Sequence, residues 1–247
     1  MNSDPKILVT ICNYNHEMFL EESISSIQNQ TYENLDICIY DDGSKNKEKV
    51  REIVNKLSKE DKRIRFIDEQ ENKGKWYGLN KAIETSEAAI CTSHDADDIS
   101  LRLRIERQLQ SIILTETYHN LCGFYHCFNE EDVKKNLDNY NYKEFNKNIS
   151  CLKKEDVFNL VMNGYSHPAI NHYYTGNFET AGVSSMFYRQ LWDFGLRFNP
   201  PGMGLRTLLS EDSDFNFRAT CMFNSTSILA EKHYLYRRNT STNNEAY

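Results

Sequence analysis

The sequence predicts an α/β protein with a mostly parallel central sheet flanked by helices, and three observations predict it. Short apolar runs alternate with amphipathic helical stretches through about the first 115 residues, the pattern of strands joined by helical crossovers. Two of the runs lead into carboxylate turns, Asp41-Asp42-Gly43-Ser44 and His94-Asp95-Ala96-Asp97-Asp98. Both turns would lie at the carboxyl edge of a parallel sheet, where open α/β sheets bind ligands. The length, 247 residues, suits a single α/β domain, and one domain over 1–247 is expected.

In order along the chain, Ile7 to Cys12 reads as a strand, and Leu20, Ile24 and Ile27 then recur at helical spacing. Asn15 is the expected N-cap, with Glu21 and Glu22 early in the helix. The strand Leu35 to Tyr40 is followed by a helix carrying Val50, Ile53, Val54 and Leu57 on one face. A short strand, Ile64 to Ile67, precedes the Gly74 loop, a helix from about Tyr77 to Glu84 and a strand from Ala88 to Thr92. From Leu101 to about Leu114 the pattern is helical, with Ile105, Leu109, Ile112 and Ile113 as the buried face. Arg102, Arg104, Glu106 and Arg107 then fall mostly on the solvent side. Leu121 to Phe128 reads as a buried strand, and the polar stretch from Asn129 to Tyr165 as a variable insertion. Order returns with a strand in Ala181 to Arg189, a short helix ending near Phe194-Gly195, the Pro/Gly loop Phe198 to Gly204, and a helix that begins at Ser210-Glu211-Asp212.

Composition narrows the classes of partner. A formal net charge of −7 provides no basic field for nucleic acid or an anionic membrane surface. No run approaches the roughly 18 apolar residues of a membrane span, and no signal peptide is read at the N-terminus. Seven cysteines, with Cys38 and Cys91 inside apolar strands, read as free thiols of a reducing compartment, so a cytoplasmic location is expected, with peripheral attachment to a membrane left open. Cys122 and Cys127, near His119 and His126, lack the short Cys-x-x-Cys spacing of a structural zinc site.

Three carboxylates within four positions, Asp95, Asp97 and Asp98, repel one another unless a cation sits between them, which points to Mg²⁺ or Mn²⁺. Together with four further motifs they resemble family 2 of the nucleotide-sugar glycosyltransferases, the inverting enzymes of the GT-A fold. The matching segments are Ile7 to Asn15, Leu20 to Tyr32, Asp41-Asp42-Gly43-Ser44, Asn72-Lys73-Gly74 and Asp95-Ala96-Asp97-Asp98. The resemblance implies a nucleotide-sugar-binding half over about 1–115 and an acceptor and catalytic-base half over about 116–247. It also implies roles for particular residues. Tyr14 would stack on the base, and Asp42 would accept from uracil N3–H. Asp97 and Asp98 would hold the ribose and the metal, Asp95 being the first carboxylate of the D-x-D motif. Glu211-Asp212 matches the family's catalytic pair, with Asp212 the general base and Glu211 orienting it or binding the acceptor.

Three positions depart from the family pattern. Cys12, counted among the donor-binding positions, stands where Pro or Thr is common. Leu79 occupies a position that is often Arg, leaving Lys75 and Asn80 as candidate donor contacts. Asn239 takes the place of a metal-binding His and offers a weaker oxygen ligand. The expected activity is transfer of a sugar from a nucleotide diphosphate sugar, with UDP preferred, to a glycan, lipid-linked or protein acceptor. Two readings rival it. A catalytically silent nucleotide-sugar-binding module is kept open by Leu79 and Asn239, and a nucleotidyltransferase is disfavoured because no Gly-rich activating loop follows the first strand. No G-x-G-x-x-G follows a strand either, which argues against an NAD dehydrogenase.

Overall fold

The computed structural model describes residues 4–140, 149–153, 182–201, 211–223 and 225–238. The first three strands, β1 (Ile7–Asn13), β2 (Leu35–Asp41) and β3 (Ile64–Asp68), alternate with α1 (Glu17–Gln28), α2 (Lys47–Glu60) and α3 (Lys75–Glu84). β4 (Ile90–Asp95) and the short β5 (Ile99–Ser100) lead into α4 (Arg104–Thr115). The second half supplies β6 (His119–Cys127), α5 (Glu130–Asp138), β7 (Ile149–Lys153), β8 (Met186–Tyr188), α6 (Gln190–Asp193), α7 (Glu211–Phe223) and β9 (Ser225–Arg237).

The strand order is β3-β2-β1-β4-β8-β6-β9-β5, with β7 paired to β9. β1 pairs in parallel with β2 on one side and β4 on the other, so the chain reverses its direction of travel across the sheet there. Such a reversal opens a crevice at the carboxyl ends of the two strands. β8 is antiparallel to both β4 and β6, and β6 is parallel to β9, which brings the carboxyl ends of β6 and β9 to that same edge.

Alternation along the strands sorts side chains to two faces. Ile7, Val9 and Ile11 pack with Leu20 and Ile24 of α1, Val50 and Val54 of α2 and Ile105 and Ile112 of α4. Leu8, Cys38 and Cys91 point the other way, against Leu79 and Ile83 of α3, Leu191 of α6 and Phe215 of α7. Each fully buried Leu, Ile or Phe stabilises the fold by about 1.5–3 kcal/mol relative to exposure, so both helical layers are driven on by the same effect.

Several boundaries differ from the sequence reading, each for a physical reason. Asn15 is not the cap of α1: it has φ 58 and receives the Lys45 N–H on Oδ1 at 2.8 Å, so it ties this loop to the Asp41 turn, and His16 takes the N-cap position. β4 runs to Asp95 rather than ending at Thr92, because pairing with β1 carries the ladder through Cys12↔Asp95 beyond the apolar stretch. α3 begins at Lys75, two residues before the expected start, after Gly74 at φ 92. In α4, Ile105, Leu109 and Ile112 are buried as expected, but Ile113 is 58% exposed and the buried face extends instead to Arg104, Gln108 and Ser111. α5 lies inside the stretch read as a variable insertion, for which no helix was expected. It buries only Val133 and is capped by Asn129, which accepts from the Asp132 N–H, so its apolar periodicity is almost absent.

Candidate active site

The two acidic turns sit side by side, because Asn13 is in register with Asp41 and Cys12 with Asp95. In the first turn Asp41 is fully buried and satisfied. Its Oδ1 accepts from Asn13 Nδ2 and Ser44 Oγ, each at 2.6 Å, and its Oδ2 from the Ser44 N–H at 3.1 Å. Asp42, also buried, accepts from the Lys73 N–H at 2.7 Å, the Gly74 N–H at 2.9 Å and the Tyr40 hydroxyl at 3.1 Å. Burial raises the Asp42 pKa, and these hydrogen bonds pull against it. The Gly74 loop is thereby fastened to β2, and α3 lies so close that a Cβ on Gly78 would sit 2.2 Å from the Tyr40 ring.

In the second turn, alternation along β4 sends His94 and Asp95 to opposite faces. His94 meets Arg104, a fully buried guanidinium. That guanidinium donates to Thr92 Oγ1 at 2.8 Å, Ser93 O at 2.7 Å and Ser100 Oγ at 2.7 Å. Burial, then the Arg104 charge, holds the His94 imidazole well below its ordinary pKa, so it is neutral. Nε2 lies 3.2 Å from the Asp98 carbonyl and donates to it, which leaves Nδ1 to accept from Arg104 at 3.3 Å. Arg104 was read from the sequence as a largely solvent-side residue; it instead braces the acidic turn from beneath.

Asp95 emerges on the face of α3 and α7. There the Lys75 ammonium lies 2.7 Å from Asp95 Oδ1, 2.9 Å from Asp212 Oδ2 and 3.9 Å from Glu211 Oε1. Burial pulls the Lys75 pKa down, but Asp212, Asp95 and Glu211 outweigh it, so the cation is held well above its ordinary range. Burial pushes Asp212 up to about 6, Lys75 pulling against it and Glu211 and Asp95 pushing with it. Asp212 Oδ1 is buried and has no hydrogen-bond partner among the described residues.

Asp98 is fully buried. Its Oδ1 accepts from the Arg237 N–H at 2.8 Å, while Oδ2 has no well-formed hydrogen bond, the Tyr234 hydroxyl lying beside it. Burial, then Asp97 and Asp95, push Asp98 well above the usual carboxylate range. Asp97 lies 3.5 Å from His16 Nδ1, and Arg237 Nη1 donates to its carbonyl at 2.9 Å. Ligand oxygens of Asp95, Asp97 and Asp98 fall within 4.8 Å of one another. An all-oxygen set of this size, with one orphaned buried oxygen, fits a hard divalent cation.

The remaining candidates sort differently. Cys12 lies in the wall below Lys75, and burial pushes its thiol pKa up, so it is a neutral packing residue. Tyr14 is half-buried just beyond β1. Asn80 does not face the donor crevice as a free contact. Its Nδ2 donates to Phe198 O at 2.8 Å, and its Oδ1 accepts from the Phe198 N–H at 3.1 Å and Trp192 Nε1 at 3.2 Å. The amide is consumed in tying α3 to the segment before α7. Asn239, and Met203 and Gly204 of the Pro/Gly loop, lie outside the described residues. Sequence reasoning missed Arg237, Tyr234 and His16, because each gains its place only through β9 or the α1 entry packing against the turn. Arg218, six residues beyond Asp212, donates to Asp214 Oδ2 at 2.6 Å, one helical turn away.

Among the described residues no helix is long and apolar enough to cross a membrane. Comparison with known proteins agrees with the architecture. An uncharacterized glycosyltransferase of Haemophilus influenzae is 39% identical over 107 residues, 43% of this chain and 32% of that protein. The GalNAc(5)-diNAcBac-PP-undecaprenol beta-1,3-glucosyltransferase of Campylobacter jejuni is 28% identical over 152 residues, 61% of this chain and 47% of its own length. The chain thus spans less than half the length of either relative. In three dimensions, residues 1–349 of S. aureus TarS in complex with UDP-GlcNAc superimpose with a TM-score of 0.68 at 15% identity, covering 98% of this chain and 61% of that one. The Glycosyl transferase family 2 model matches residues 8–174, and with this sheet order and these two acidic turns the chain belongs to glycosyl transferase family 2.

Proposed function

We propose that this chain transfers a glycosyl group from a nucleotide diphosphate sugar to an acceptor hydroxyl with inversion, and that the donor is UDP-linked. The observation that carries the reading is the meeting of Lys75, Asp95 and Asp212, Lys75 and Asp212 being 137 positions apart in sequence, at the switch-point edge of the sheet. Supporting it, Asp212 has one buried oxygen without a partner and a pKa of about 6, which suits a general base near neutral pH.

Asp212 takes the proton of the acceptor hydroxyl as that oxygen bonds to the anomeric carbon. The carbon's bond to the diphosphate oxygen breaks on the opposite face, and its electron pair leaves with the nucleoside diphosphate. Glu211, the neighbouring residue, orients the acceptor or the base. Tyr14 stacks on the base of the nucleotide, and Asp42 Oδ2, which accepts one hydrogen bond already, takes a second from uracil N3–H. Asp95, Asp97 and Asp98 would hold a divalent cation, which supplies charge compensation for the departing diphosphate. The acceptor is a glycan hydroxyl, with a lipid-linked glycan favoured by the name of the Campylobacter relative.

Thermal shift with UDP, GDP, dTDP and CDP, each with and without Mn²⁺, tests this on wild type and Asp97→Ala. The expected result is a Mn²⁺-dependent rise with UDP that is lost in Asp97→Ala. A rise with another nucleotide alone would replace the donor class, and no rise with any would sink the donor site.

A further inference from the structure

The Lys75 ammonium bridges two groups that the proposed reaction needs apart. Asp95 belongs to the cluster that faces the donor, and Asp212 must be free to accept a proton, yet one ammonium holds both, at 2.7 and 2.9 Å. Oδ2 of Asp212 is aimed at Lys75, and its other oxygen is buried without a partner among the described residues, so Lys75 is the one described side chain that orients the base. A carboxylate whose charge is compensated this closely is a poor proton acceptor.

The bridge is also built to be broken. Lys75 and Asp95 are 22% and 25% exposed, so incoming anions and cations reach them. Lys75 is the first residue of α3, directly after Gly74, whose N–H is pinned to Asp42. Its backbone is therefore fixed while four methylenes let the ammonium swing. A divalent cation shared by Asp95, Asp97 and Asp98 compensates Asp95 more strongly than a monovalent ammonium does. An arriving diphosphate then offers Lys75 more negative charge than Asp212 alone.

We propose that Lys75 is a positioning residue that exchanges partners: in the empty enzyme it ties Asp212 to Asp95, and the donor diphosphate draws it away and releases the base. The inference rests on the donor-site reading above. It makes the base available only when a donor is bound, so donor binding precedes acceptor activation. It also accounts for a lysine at this position in a chain that has Leu79 where the family often has Arg.

Isothermal titration of wild type, Lys75→Met and Lys75→Arg tests it, with Mn²⁺ alone and then UDP and UMP in the presence of Mn²⁺. In Lys75→Met, Mn²⁺ alone binds several-fold tighter, because no ammonium competes for Asp95. UDP weakens about tenfold or more, the size of a lost charge-assisted hydrogen bond, while UMP changes little. Lys75→Arg restores most of the UDP affinity. Unchanged or weaker Mn²⁺ binding, or an unchanged ratio of UDP to UMP affinity, overturns the exchange and leaves Lys75 as a fixed ion pair of the fold. Wild type that binds neither nucleotide overturns the donor reading itself, and the exchange with it. Should Lys75→Met fail to fold, the ¹⁵Nζ resonance of Lys75 in wild type decides: with Mg²⁺ present it moves on adding UDP and far less on adding UMP, and equal responses overturn the proposal.

Discussion

The two acidic turns begin from the same chemistry and end in different states. Both put aspartates at the ends of the two parallel strands that flank β1, one register step apart. Asp41 and Asp42 each accept from three donors, four of the six from within the turn and the Gly74 loop. At Asp95 to Asp98 the near-field donors run out: Asp98 Oδ2 is orphaned, and Asp95 and Asp212 share one ammonium. A saturated buried carboxylate is a structural latch, whereas an unsaturated one costs stability that a ligand can return. The first turn is thus the more fully hydrogen-bonded, and the second keeps unsatisfied carboxylate oxygen.

The sharpest way to break this contrast is at the base. Asp212→Asn is expected to lower glycosyl transfer by about 10³-fold, within the range for loss of a general base, with the fold intact by circular dichroism. Wild-type kcat/KM is expected to fall as pH drops through about 6, since Asp212 must be ionised to accept a proton and protonation below that value removes it. A rate that stays level down to pH 5 would remove Asp212 from the role.

The latch and the open cluster should respond unequally to the same substitution. Asp41→Asn leaves the hydroxyl and amide donors of Ser44 and the Asn13 amide competing for one carbonyl oxygen, so about 2 kcal/mol of stability should be lost in urea unfolding. Gly78→Ala drives a methyl into the Tyr40 ring that supports Asp42, and about 1–3 kcal/mol should be lost. Asp98→Asn should change metal-free stability least, because burial and the neighbouring carboxylates already oppose its charge. Its signature is a lost Mn²⁺-dependent thermal shift. Equal destabilisation by Asp41→Asn and Asp98→Asn would erase the distinction between latch and site.

How much was legible in the sequence differs between these regions for a reason of range. The Asp41 turn depends on residues within a few positions or on the neighbouring strand, and its strand, turn and following helix were all read from local pattern. Arg104 was not, since one arginine among Arg102, Arg104 and Arg107 carries no mark of burial, and its rotation into the core follows from hydrogen bonds to β4 and β5. Arg237 was invisible for the same reason, because its hold on Asp97 and Asp98 spans 140 and 139 positions of sequence. Asn80 looked like a donor contact from its place in the motif, and only the packing of Phe198 and Trp192 shows its amide to be spent.

By itself the sequence determined the alternating sheet, the two carboxylate turns and the family, because strand period, helix period and turn chemistry are local properties of the chain. Tertiary structure decided which carboxylates are satisfied, which face each strand-end residue takes and that Lys75 joins Asp95 to Asp212. Those outcomes depend on where donors from distant segments come to rest, and only the packed sheet with its two helical layers fixes that.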